Sequence, residues 1–215
     1  MTSQGWAAAW TRALYGDAGF YRTGCGASRG PGGHFRTSVH VGPVFAGALA
    51  ELLCRVDDRL GRPAVLDLVD VGAGRGELAA GIVAALPAAV AARVRAVAVD
   101  LRERPAGLDP RVGWVTGGAP QVVSGGYPDG VRGLLLAHEW LDDLPCEVVE
   151  VDAQRRPRLV VVDPAGTESA GPLLTDVAGC AELGVDAPSA QSWLRRWWPV
   201  EAPGERAEVG ERRDR

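Results

Sequence analysis

The chain contains no lysine: its 23 basic residues are all arginine, supplemented only by three histidines. A Walker phosphate loop needs a Lys-Ser/Thr pair behind its glycines and is therefore excluded. Cysteine is scarce as well. Cys25, Cys54, Cys146 and Cys180 lie far apart, with no C-x-x-C pair and no histidine at zinc spacing. Neither a metal site nor a disulfide framework is expected, and reduced, buried thiols are. No apolar run approaches the roughly eighteen residues of a membrane span. The opening "MTSQGWAAAW" has no basic stretch leading into an apolar core, so no signal peptide is expected. A net charge of -4 and a pI near 5.4 disfavour general binding to nucleic acid or an anionic membrane. A cytoplasmic protein is the expectation.

What is present is enough for one sizeable core: 215 residues, 47% of them hydrophobic. Trp6, Trp10 and Leu14 stand four apart and predict a short helix over 5–15. A glycine-rich polar stretch from Gly16 to Ser38 reads as a long loop, a length usually functional or disordered. Phe45, Leu49, Leu52, Leu53, Val56 and Leu60 form one stripe of an amphipathic helix from Pro43 to Leu60. Strands are expected at 63–72, 93–100, 111–117 and 131–139, with a helix over 79–86 that Pro87 ends. Strand and helix or linker thus alternate, the signature of an α/β domain with a parallel sheet. Beyond Pro145, "EVVEVD" and "RLVVVD" flank a turn and predict an antiparallel hairpin. The terminal "GERAEVGERRDR" reads as charged and frayed.

The segment "VDVGAGRGE" (69–77) feeds a strand through Gly72, Gly74 and Gly76 into a helix. Glycine permits the sharp turn and the close approach of a ligand, and the helix start offers free N–H groups. A dinucleotide fingerprint wants its third glycine at position 77, where this chain has Glu77. What remains is D-x-G-x-G-x-G, the pattern of S-adenosylmethionine-dependent methyltransferases. Asp100 closes the next strand, 24 residues after Gly76, where a carboxylate can accept ribose hydroxyls. That role serves NAD and S-adenosylmethionine alike. An NAD-dependent oxidoreductase is disfavoured by Glu77 and by the lack of a catalytic dyad. The plain alternative is a tight strand–helix turn beside a solvated strand end.

"ALYGDAGFY" (13–21), "GGHFRTS" (32–38), "VDVGAGRGELA" (69–79) and "HEWLDDLP" (138–145) follow the order of motifs in the MidA family of methyltransferases, which this chain resembles over residues 5 to 150. The resemblance implies a Rossmann-like α/β fold, mostly parallel, with helices on both faces. It divides the chain into a cap and cofactor-covering loop (1–42), a cofactor-binding core (43–145) and a hairpin with a Trp-rich segment (146–215). It implies S-adenosyl-L-methionine as cofactor and a protein arginine side chain as substrate. Candidate cofactor-binding residues are Asp70, Gly72, Ala73, Gly74, Gly76 and Asp100, with Thr37 and Gly117. The chain departs from the family pattern at His34, at Val39-His40 in place of Pro-Glu, and at His138 in place of asparagine. Family members are also longer, so late strands of the sheet are expected to be missing. A catalytically inactive relative acting as an assembly or interaction module is the alternative reading.

Strand ends carry the ligand in such sheets, which singles out "LLLAHEWLDDLP" (134–145). The leucines read as a buried strand and Glu139 as a bidentate clamp for a guanidinium. Asp142 is a helper, and Asp143 reads as the acidic start of a helix. His138 is a base, a cofactor contact or, by preference, a core histidine. Catalytic candidates are thus Glu139, Asp142 and His138. Trp193, Trp197 and Trp198 form a helical stripe expected to be core, with an oligomer or partner surface as the other reading.

Overall fold

A computed structural model describes residues 3–22, 37–117 and 130–210. Along the chain run strand β1 (Gln4–Gly5), helix α1 (Trp6–Tyr15), α2 (Pro43–Arg59), β2 (Leu66–Val71), α3 (Glu77–Ala85), α4 (Ala88–Ala91), β3 (Val94–Asp100), β4 (Val112–Thr116) and β5 (Gly133–Leu136). Then follow β6 (Glu147–Val151), β7 (Pro157–Val162), β8 (Glu168–Leu173), α5 (Val177–Glu182), α6 (Ala187–Trp197) and β9 (Arg206–Val209). Two compact units result: Gly24–Asp143, and Met1–Thr23 with Leu144–Arg215.

In the first unit a four-stranded sheet has the order β4-β3-β2-β5, every pair parallel. The α/β, Rossmann-like expectation holds. All six residues of β2 are buried, as befits a strand covered on both faces. On one face Leu66, Leu68, Ala96, Ala98 and Val112 pack with Leu53 of α2 and Leu78 and Ile82 of α3. On the other, Val69, Val71 and Val99 pack with Val131 and Trp140. Leu52, placed on the buried stripe of α2 by periodicity, is exposed. The expectation of a buried strand at 131–139 also needs correcting. Within the described residues β5 is the last strand of the sheet's order, and Leu135 is 50% exposed.

In the second unit the predicted hairpin is present as antiparallel β6 and β7, and it belongs to a larger sheet. β9 joins the free side of β6, while β1 and β8 join β7, all antiparallel. The end of the chain is therefore not frayed through 204–210. Ala207 and Val209 are buried while Arg206 faces outward, a strand alternation hidden inside a charged run; 211–215 lie outside the described residues. Leu159, Leu174, Cys180, Ala190 and Leu194 form this unit's core, and Trp193 packs against it. Trp197 and Trp198 are 59% and 48% exposed. The core expectation holds for the first tryptophan only: burial along α6 ends at Leu194, and Trp197 and Trp198 follow it at the helix end. Cys146 and Cys180 are buried thiols outside any disulfide, as expected, and Cys54 is half-buried. Most of the loop at 16–38, with Cys25 and His34, lies outside the described residues.

Candidate functional site

The carboxyl end of β2 runs into the glycine loop. Gly72, Gly74 and Gly76 all take left-handed backbone, with φ of 69°, 64° and 76°. Each residue is placed by a hydrogen bond. Gly72 and Ala73 N–H donate to the Val99 carbonyl (2.9 and 3.1 Å), Gly76 N–H to that of Ala73 (2.8 Å) and Ala80 N–H to that of Gly76 (3.0 Å). A β-carbon at Gly72 would run into the Trp140 ring, and one at Gly76 would lie 2.8 Å from Leu108. At Gly74 it would meet only the Arg102 guanidinium, at 3.8 Å. The middle of the loop is thus its open part.

Gly74 N–H donates to Asp100 Oδ2 at 2.8 Å. The other oxygen of Asp100 accepts from the Arg102 backbone N–H (3.1 Å) and from Arg102 Nε (3.0 Å). The Arg102 carbonyl accepts from Trp114 Nε1 at 2.9 Å, and the Trp114 ring lies 3.4 Å from where a β-carbon of Gly76 would stand. Gly117 N–H donates to the Asp100 carbonyl, 2.9 Å, at the end of β4. Asp70, Gly72, Ala73, Gly74, Gly76, Asp100 and Gly117 therefore gather at one end of one sheet.

Asp70 is 2% exposed, and its Oδ2 is buried with no hydrogen-bond partner among the described residues. Burial pushes its carboxyl up to about 7; the Ala79 N–H opposes that rise and the charge of Asp100 adds to it. An unsatisfied buried carboxyl oxygen of this kind calls for an explanation.

Among the described residues Thr37 is linked towards this cluster only through His40. Its N–H donates to His40 Nδ1 at 3.3 Å, capping a single 3-10 turn, Ser38–Val41. His40 Nε2 lies 3.4 Å from Glu77 Oε2, in the first turn of α3. The histidine that stands where the resemblance expects an acid thus meets an acid at the start of α3.

After β5 the chain turns at Ala137, whose carbonyl accepts from Trp140 N–H at 3.4 Å. Glu139 takes left-handed backbone, φ 55°, unusual for a residue with a β-carbon. Its carboxylate is 53% exposed and lies 3.6 Å from His138 Nε2. The His138 ring packs on Phe45 of α2, centroids 5.0 Å apart, in keeping with a mainly structural histidine. Asp142 is exposed in a three-residue 3-10 turn, Leu141–Asp143. Asp142 and Asp143 therefore do not start an α-helix, and stabilisation by a helix dipole does not apply to them.

Sequence reasoning missed Arg102, Trp114 and Trp140. Arg102 was visible as a cation two residues past the strand-end acid, and Trp140 as an aromatic beside Glu139. Trp114 gave no signal beyond its strand. Among the described residues no three His, Cys, Asp or Glu side chains gather as metal ligands, and no helix is long and apolar enough to cross a membrane.

A parallel sheet, a left-handed glycine turn and an acid closing the next strand define a Rossmann-like nucleoside-binding domain. Residues 48–211 match the family described as "Putative S-adenosyl-L-methionine-dependent methyltransferase", and the chain belongs to that family. It is similar to a crystal structure from Burkholderia thailandensis bound to S-adenosyl-homocysteine: 26% identity, TM-score 0.61, 86% of this chain and 49% of that one. A native crystal structure of an uncharacterized protein from the same organism matches at 25% identity and TM-score 0.57, over 86% and 48% of the two chains. The chain spans about half the length of these structures. No curated protein matches it.

Proposed function

We propose that the chain binds S-adenosyl-L-methionine at the carboxyl ends of β2 and β3 and takes part in methyl transfer to a protein arginine. The carrying observation is the Gly74 N–H on Asp100, which fixes a strand-end carboxylate against the open face of a left-handed glycine turn. Membership of the methyltransferase family and likeness to a structure bound to S-adenosyl-homocysteine support the same ligand.

The residues present fit that ligand in two ways. Asp70 has a bare buried oxygen for an ammonium group, and among the described residues only the Arg102 guanidinium borders the space at Gly74 where an adenosine would approach. Asp100 accepts from ribose hydroxyls, and Ala73 and Gly117 frame it from the loop and from β4. Thr37 closes the edge through His40. When bound, the cofactor supplies a methyl group activated by a sulfonium.

This chain's residues have then to hold a nucleophile in line and exclude water, since proximity dominates such a transfer. Glu139 is the arginine clamp. Its carboxylate is half-exposed, and its left-handed backbone is strain of the kind kept at functional sites. Asp142, exposed on the following turn, adds negative charge that favours a guanidinium. The contact between His138 and Glu139 favours a second reading, in which the cofactor binds without turnover because the clamp is already engaged.

Transfer of a radiolabelled methyl group from S-adenosylmethionine to arginine-containing proteins of a cell extract separates the two. Labelling that Glu139→Gln abolishes, with cofactor binding intact, supports the transferase. Binding without labelling supports the second reading.

A further inference from the structure

The donors on Asp100 can be counted. Oδ2 takes the Gly74 N–H, and Oδ1 takes both the backbone N–H and the Nε of Arg102. A carboxylate offers about four lone-pair positions, so among the described residues these three donors leave one, on Oδ2. A ribose diol brings two O–H groups and needs two acceptors. The two backbone donors are fixed by the glycine loop and by the segment after β3, which Trp114 pins at the Arg102 carbonyl. Only the Arg102 side chain is free to leave. It is 32% exposed, whereas Asp100 is 10% exposed, so the guanidinium can turn into water without disturbing the acid.

We propose that Arg102 determines how the site reads a ribose: its Nε occupies the position on Asp100 that one ribose hydroxyl takes, and binding exchanges the guanidinium for the diol. The inference rests on the cofactor reading above. Arg102 then works against the ligand it faces. It neutralises Asp100 in the free chain, and every ribosyl ligand must break that pair. A ligand without ribose hydroxyls leaves the pair in place and is indifferent to it. Salt weakens the ion pair, so the resistance Arg102 offers shrinks as ionic strength rises.

Calorimetry with S-adenosylhomocysteine and its 2′,3′-dideoxy analogue, on the wild type, Arg102→Ala and Arg102→Met, tests this. Both variants are expected to bind S-adenosylhomocysteine about 3- to 10-fold more tightly than the wild type, the scale of one displaced hydrogen-bonded contact. Their affinity for the dideoxy analogue stays unchanged, and the gap for S-adenosylhomocysteine narrows at high salt. The methionine variant keeps the aliphatic stem, and thermal melts verify that both are folded. Equal or weaker binding of S-adenosylhomocysteine by the folded variants overturns the inference while leaving the cofactor reading standing. If the wild type binds neither ligand, both fall together.

Discussion

The two units pair their shielded acids alike, with one exception, in the parallel unit. In the antiparallel unit, Asp152 sits in the turn between β6 and β7 and accepts from the Gln154 and Arg156 N–H groups and the Arg156 and Arg158 side chains. Burial pushes its carboxyl up, but these donors together outweigh burial and hold it well below the usual carboxylate range. In the parallel unit, Asp57 is paired with Arg93 and Asp67 with Arg95 and the Arg132 N–H, both away from the glycine loop. Asp70 alone among these carboxylates keeps a bare oxygen, and it stands at the strand end. Evidently the sequence can satisfy a buried acid when the acid's work is structural. The exception is the residue to which the proposed function gives a ligand.

The largest expected effect comes from the glycine loop. Gly72→Ala puts a β-carbon into Trp140 at left-handed φ, costing roughly 3 kcal/mol or more and abolishing binding of S-adenosylhomocysteine. Gly166→Ala in the antiparallel unit, at φ 87° with open space around it, is the control. It costs roughly 1–2 kcal/mol of backbone strain and leaves binding unchanged. Thermal melts and calorimetry on both variants check the contrast.

Next comes pH. The folded value of Asp70, about 7, lies above its ordinary 3.8, so the folded chain holds that proton more tightly than the unfolded one. The stability this contributes is full below the ordinary value and is lost as pH rises through about 7. Asp70→Asn should therefore gain on the wild type in melting temperature as pH goes from 5 to 8.5. A cationic group pairing with Asp70 requires it ionised. Wild-type affinity for S-adenosylhomocysteine should thus fall as pH drops below about 7, by at most tenfold per pH unit, and Asp70→Asn should lose that dependence.

Asp152→Ala removes the donors' common acceptor in the other unit. A loss of about 1–3 kcal/mol in stability is expected, with cofactor binding unaffected. The smallest effect is at Glu139. Replacing it by glycine relieves the left-handed backbone and raises stability by up to about 1 kcal/mol, while ending any arginine methylation. A variant both more stable and inactive would sharpen the contrast between structural and functional strain.

The parallel unit was more legible in the sequence than the antiparallel one. Strands β2 and β3 announce themselves as apolar runs carrying an acid at or beside the carboxyl end, and the glycine loop by its spacing, because burial on both faces and positive φ restrict the residue types allowed. β8 contains Gly171 and Pro172, which mask its alternation, and β9 shows only Ala207 and Val209 between charges. The β5 leucines, last in the sheet's order among the described residues, were misread because an apolar run does not say what covers it. Asp70 and Asp100 were readable from position in their strands. The side chains around them were not, because Arg102, Trp114 and Trp140 reach the site through the fold rather than through spacing along the chain.

One titration tests the central claim that Asp100 and the glycine loop hold S-adenosyl ligands. Calorimetry of S-adenosylhomocysteine into the wild type should show saturable one-to-one binding, weakened by about tenfold or more in Asp100→Ala. No heat at millimolar ligand with the wild type folded, or equal affinity in Asp100→Ala, would contradict the account.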